Sequence, residues 1–115
     1  MGIYSKEIRE NIWLVTVSGR LDQGLTPPLE AELSHLLQED KTRLILDLSE
    51  ATYINSGGLR CLVTAWRKAK QKGGNVLLAG LQARVREVFA MVGFDKVFQI
   101  YDTPEDALEI WPVTS

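Results

Sequence analysis

At 115 residues, with 13 Lys and Arg against 15 Asp and Glu, the chain has the length of one domain and a formal net charge of −2. That balance gives no electrostatic case for nucleic-acid binding, and no apolar run approaches the ~20 residues of a membrane span. The single cysteine, Cys61, excludes an internal disulfide, and the N-terminus lacks a signal peptide's apolar region, so the expected location is cytoplasmic.

In chain order, Ile3 to Ile8 reads as a weak strand, Arg9-Glu10-Asn11 as a turn and Ile12 to Val17 as a stronger strand, an N-terminal hairpin. Trp13, Val15 and Val17 share one face, and Ile12, Leu14 and Thr16 the other. Ser18 to Asp22 is expected to leave the sheet. Thr26-Pro27-Pro28 announces a helix, with Thr26 as its cap, Glu30 and Glu32 near its positive end, and Leu29, Leu33, Leu36 and Leu37 as its apolar stripe.

Leu44-Ile45-Leu46-Asp47-Leu48 follows, a strand apolar at nearly every position, as expected where both faces of a sheet are covered. A polar link, Ser49 to Ile54, leads to the turn Asn55-Ser56-Gly57-Gly58 and to a helix from about Leu59 to Lys72. Leu59, Leu62, Val63, Trp66 and Ala69 lie on one face of that helix. Arg60, Arg67, Lys68, Lys70 and Lys72 form a solvated face, or one that meets an acidic partner. Gly73-Gly74 stops the helix, and Asn75 to Ala79 is a further buried strand. Ala83 to Val92 reads as a helix with Val85, Val88, Phe89 and Val92 inward, Val97 to Tyr101 as the last strand, and Thr103-Pro104-Glu105-Asp106 as the start of a helix closed by Pro112. The order β-β-α-β-α-β-α-β-α predicts an α/β single domain: a small mixed β-sheet with about four helices packed on it.

Few side chains suit chemistry. Ser56 reads either as a helix cap or as an exposed hydroxyl open to phosphorylation, where a phosphate would meet free amides and the positive end of the helix dipole. Gly57-Gly58 reads as a tight turn, since the spacing is not that of a phosphate-binding fingerprint. Asp22 and Asn55 follow strand-end sequence and are expected near Ser56. Asp47 is expected to bond backbone. His35, the only histidine, has no marked nucleophile partner, and Cys61 reads as a small core residue. No catalytic residue, cofactor or metal site is expected, and the three tryptophans Trp13, Trp66 and Trp111 read as packing residues.

Taken together, Gly19-Arg20-Leu21-Asp22, Leu46-Asp47-Leu48, Tyr53-Ile54-Asn55-Ser56-Gly57-Gly58-Leu59, Val85 to Phe89, Gly93 to Phe98 and Tyr101 to Leu108 resemble a STAS domain. The resemblance covers the whole chain, read as one domain over residues 1–115. It implies a stand-alone anti-sigma factor antagonist in a partner-switching pathway. Such a protein binds an anti-sigma factor that is also a serine protein kinase, is phosphorylated by it at the strand–helix turn, and is reset by a serine phosphatase. The antagonist is the substrate and not the enzyme. Carried onto this chain, the partner-binding residues are Asp22, Asn55, Ser56, Gly57, Gly58, Leu59 and Arg60. The family's turn reads Asp-Ser-Ser/Thr-Gly-Leu with the second hydroxyl as acceptor; here that position is Gly57, and Asn55 stands for the aspartate. Three arrangements fit: Ser56 has become the acceptor, regulation is lost, or another input controls binding. Ser56, the only hydroxyl in the turn, is the favoured acceptor. The resemblance also allows a cytosolic accessory subunit docked on the ATPase of a membrane ABC lipid transporter. A small-ligand sensor built on the glycine turn is the remaining reading.

Overall fold

A computed structural model describes residues 2–111. The elements are β1 (Gly2–Arg9), β2 (Ile12–Leu21), α1 (Thr26–Gln38), β3 (Arg43–Ile54), α2 (Ser56–Gln71), β4 (Asn75–Ala79), α3 (Ala83–Met91), a single 3-10 turn (Phe94–Lys96), β5 (Ile100–Tyr101) and α4 (Pro104–Leu108). Pro112, expected to close the last helix, lies outside the described residues.

The five strands form one sheet in the order β1-β2-β3-β4-β5. β1 and β2 pair antiparallel across a turn at which Asn11 takes φ 65°, a left-handed conformation that asparagine tolerates. The other pairs are parallel, each joined through a helix. Alternation along β3 divides the core. Leu44, Leu46 and Leu48 point to the side covered by α1, α2 and α3, where they meet Leu33, Leu36, Leu62 and Phe89. Ile45 points to the opposite side, with Ile12, Leu77, Ala79 and Ala107 of α4. The two-sided burial inferred from the apolar run therefore holds, and so does the leucine stripe of α1.

Both central strands are longer than the sequence suggests. β2 stays in the sheet through Leu21, and β3 runs through the polar segment to Ile54, with Ser18 paired to Glu50, Gly19 to Ala51, Arg20 to Tyr53 and Leu21 to Ile54. The extension buries Leu21, Ala51 and Ile54 and leaves Ser49, Glu50 and Thr52 exposed, so the polar residues mark an outer face and not a link. Two register shifts interrupt this pairing, between Thr16 and Ser18 and between Gly19 and Arg20.

Three further expectations change. Thr26 does not cap α1: Leu25 holds the N-cap position, and the buried Thr26 Oγ1 has no hydrogen-bond partner among the described residues. α3 ends at Met91 because Gly93, at φ 79°, reverses the chain, and this leaves Val92 50% exposed instead of inward. β5 is only two residues long, since the 3-10 turn takes up the preceding segment and Val97 faces solvent. Phe98 is nonetheless buried, with edge-to-face contacts to Trp66 and Phe89. α4 starts as expected: Thr103 Oγ1 accepts the Asp106 amide at 3.1 Å.

Candidate partner-binding surface

The carboxyl ends of β2 and β3 are neighbours in the parallel sheet, so whatever follows each strand meets at one edge. The Asn55 backbone N–H donates to the Leu21 carbonyl at 3.2 Å, which carries the pairing one residue past the strands. Asp22 is the next residue along. Its Oδ1 accepts the Gly24 amide at 3.0 Å, its carbonyl accepts the Thr26 amide at 2.9 Å, and its Oδ2 lies 3.5 Å from Arg20 Nε. The Arg20 guanidinium sits 4.1 Å from the centre of the Tyr53 ring. Asp22 is thus held at the start of the β2–α1 connection with its carboxylate partly exposed.

Asn55, not Ser56, caps α2. Its backbone is extended (φ −108°, ψ −178°), and its Oδ1 accepts the Gly58 N–H at 3.0 Å. Ser56 therefore occupies the first helical position, exposed. The amides of Ser56 and Gly57 belong to the first turn, where no intrahelical carbonyl is available to them. The two glycines differ. A Cβ on Gly58 would stand 2.9 Å from Ile54 Cγ1 and 3.0 Å from Leu21 Cγ, so glycine is what lets α2 seat against the ends of both strands. A Cβ on Gly57 would meet only Asn55 Oδ1, at an ordinary 3.5 Å. Leu59 is 6% exposed and anchors the first turn in the core, whereas Arg60 is exposed. The structure thus brings the seven residues together and divides them: Asp22, Asn55, Ser56, Gly57 and Arg60 reach the surface, and Gly58 and Leu59 pack beneath it.

Beside this edge lies a groove of ≈ 330 Å³ lined by Ser56, Leu59, Arg60, Val63, Thr64, Arg67, Val92 and Phe94. Sequence reasoning did not connect Arg67, Val92 or Phe94 with the turn. The one available signal was the glycine at 93, which ends α3 and turns Val92 outward.

Elsewhere little suggests chemistry. His35 lies on an exposed face of α1, 3.4 Å from Glu39. The neighbouring Lys41 donates to the Glu39 carboxylate and, with His35, holds its pKa below the ordinary value. Asp47 Oδ1 accepts the Ser49 amide at 3.0 Å, as expected of a backbone-bonding residue. Cys61 is buried, and burial, helped by the Glu30 charge, pushes its thiol pKa up to about 11. Among the described residues no group of three His, Cys, Asp or Glu is placed to hold a metal ion, and no helix is long and apolar enough to cross a membrane.

Comparison with known proteins agrees with the resemblance in the sequence. Residues 4–107 match the family model described as STAS domain. The chain is 31% identical to BtrV of Bordetella bronchiseptica over 98 residues, 85% of this chain and 84% of that protein. It is 28% identical over 98 residues to the anti-sigma-F factor antagonist RsfB of Mycobacterium tuberculosis, covering 83% of this chain and 77% of that protein. Its fold matches SpoIIAA, the Bacillus cell fate determinant, solved in its phosphorylated form, with a TM-score of 0.78 at 17% identity over 96% of this chain and 100% of the other.

Proposed function

The chain belongs to the STAS domain family, and from that premise we propose that it is an anti-sigma factor antagonist that binds a kinase-type anti-sigma factor through the β2–β3 edge and the first turn of α2. RsfB, a relative over most of both lengths, is named an anti-sigma-F factor antagonist. Asp22, Asn55, Ser56, Gly57 and Arg60 supply the contact, with Gly58 and Leu59 holding α2 in register beneath them. The protein acts by binding and is itself the kinase's substrate; a serine phosphatase reverses the modification.

One observation carries the switch: Ser56 is exposed at the first position of α2 while Asn55 does the capping. Modification of Ser56 removes no capping hydrogen bond. A phosphoryl group on its Oγ meets the first-turn amides and the positive end of the helix dipole, so the fold accommodates it. It also adds roughly −2 charge to the surface that the partner must cover. Gly57, where the family's usual acceptor stands, has no hydroxyl to offer.

The test is site-mapped intact mass of the protein isolated from its own host, beside a Ser56→Ala variant. A single phosphoryl group on Ser56, missing from the variant, is the expected result. Unmodified protein under every growth condition would remove the switch and leave a constitutive binding module.

A further inference from the structure

The groove beside Ser56 carries charge of one sign and is apolar along its floor. Leu59 and Val63, one helical turn apart on α2, face Val92 and Phe94. Among the described residues, Arg60 and Arg67 are the charged ones that line it, and no carboxylate does. The ion pairs among the described residues involve neither arginine. Val92, which lines the groove at the end of α3, is 50% exposed, and its neighbour Met91 is 85% exposed.

Resting on the reading of this edge as the partner-binding surface, we propose that the groove receives an amphipathic helix of the partner protein that carries carboxylates about two turns apart. The spacing comes from α2: Arg60 and Arg67 are seven residues apart, roughly 10 Å along a helix axis and nearly on one face. A helix laid along α2 with a leucine-type stripe fills the floor, and acidic residues seven positions apart on its flank reach both guanidiniums. Arginine suits the role because its planar fork binds a carboxylate in two places. The residues that line the groove lie on α2, at the end of α3 and in the 3-10 turn, and none belongs to a strand that an extended peptide could join. Ser56 lines the same groove, so a phosphoryl group there competes for Arg60 and repels the acidic flank. Local charge then couples modification to release.

The experiment is an NMR titration of the full chain with three synthetic peptides of about 15 residues, a length that offers apolar positions i, i+3, i+4 and i+7. One has leucines at those positions and flanking glutamates seven apart. The second has lysines for the glutamates, and the third is the first with its order scrambled. The acidic helix is expected to shift resonances of Leu59, Val63, Val92 and Phe94 and to bind at least about tenfold more tightly than the other two. Arg60→Glu combined with Arg67→Glu should reverse the preference towards the lysine peptide, with the thermal midpoint confirming that the variant is folded. Ser56→Asp should weaken the acidic peptide. Equal binding of acidic and basic peptides, shifts outside the groove, or tighter binding of dodecyl phosphate than of any peptide would overturn the proposal. No kinase is present, so failure here leaves the Ser56 switch standing, and absence of phosphate in the host leaves this groove standing.

Discussion

Asn55 donates its backbone N–H to the Leu21 carbonyl and, with its side chain, accepts the N–H of Gly58. One residue thereby ties the end of β2 to the start of α2, and the surface that joins Asp22 to Ser56 rests on it.

Asn55→Ala should therefore cost about 1 kcal/mol, the usual worth of an N-cap, through loss of the Gly58 hydrogen bond. Ser56→Ala should change stability by less than about 0.5 kcal/mol, as exposed substitutions do. Urea denaturation of both variants checks this: the midpoint should fall for Asn55→Ala at unchanged slope and hold for Ser56→Ala. A larger loss for Ser56→Ala would return the capping role to the serine.

The two glycines of the turn should respond in opposite directions. Gly58→Ala forces a methyl against Ile54 and Leu21 and should cost roughly 1–3 kcal/mol, the range of overpacked cores. Gly57→Ala enters a helical position where its methyl makes only an ordinary contact with Asn55 Oδ1, and it should stabilise by up to about 1 kcal/mol. Thermal unfolding of both proteins decides it. A stable Gly58→Ala variant would mean that α2 can move off the strand ends without loss.

The room at Gly57 has a functional consequence. Gly57→Ser places a hydroxyl where the STAS resemblance puts the usual acceptor, and its Cβ makes only an ordinary 3.5 Å contact with Asn55 Oδ1. Incubated with ATP and the proposed partner kinase, this variant should accept phosphate at residue 57, and Gly57→Ser with Ser56→Ala should still be modified. Phosphopeptide mapping reads the outcome. A double variant that stays unmodified would show that the kinase reads Ser56 by its place at the head of α2.

Cys61 sets a pH limit. Its thiol has a pKa of about 11 in the fold against an ordinary 9.0. Between those values the folded chain keeps a proton that the unfolded chain has lost, so stability falls as pH rises from 9 towards 11 and levels beyond it. Cys61→Ala should flatten that segment of the stability profile, and alkylation by iodoacetamide near neutral pH should be slow until the chain unfolds.

The apolar repeats made most of this fold legible. The run from Leu44 to Leu48 was enough to place a strand buried on both faces, and the leucines of α1 to place its inner stripe. Boundaries were less legible where two adjacent residues offer the same chemistry. Asn55 and Ser56 are both good caps, and the extended backbone at Asn55 with its hydrogen bond from the Gly58 N–H assigns the role. At Thr26 the cap falls one residue earlier, on Leu25, whose side chain gives no sign of it. The polar stretch from Ser49 to Thr52 reads as a loop because its outward side chains hide a backbone still paired to β2. The groove was the least legible part, since it joins residues of α2 to Val92 and Phe94, and its one signal in the sequence is the reversing Gly93.

The central claim is that charge at Ser56 controls binding at this edge. Calorimetric titration of the chain into the proposed anti-sigma factor partner, with wild type and Ser56→Asp side by side, tests it most directly. Binding by the wild type, weakened at least about tenfold in Ser56→Asp at an unchanged melting temperature, is the predicted result. Equal affinity of the two proteins would contradict it.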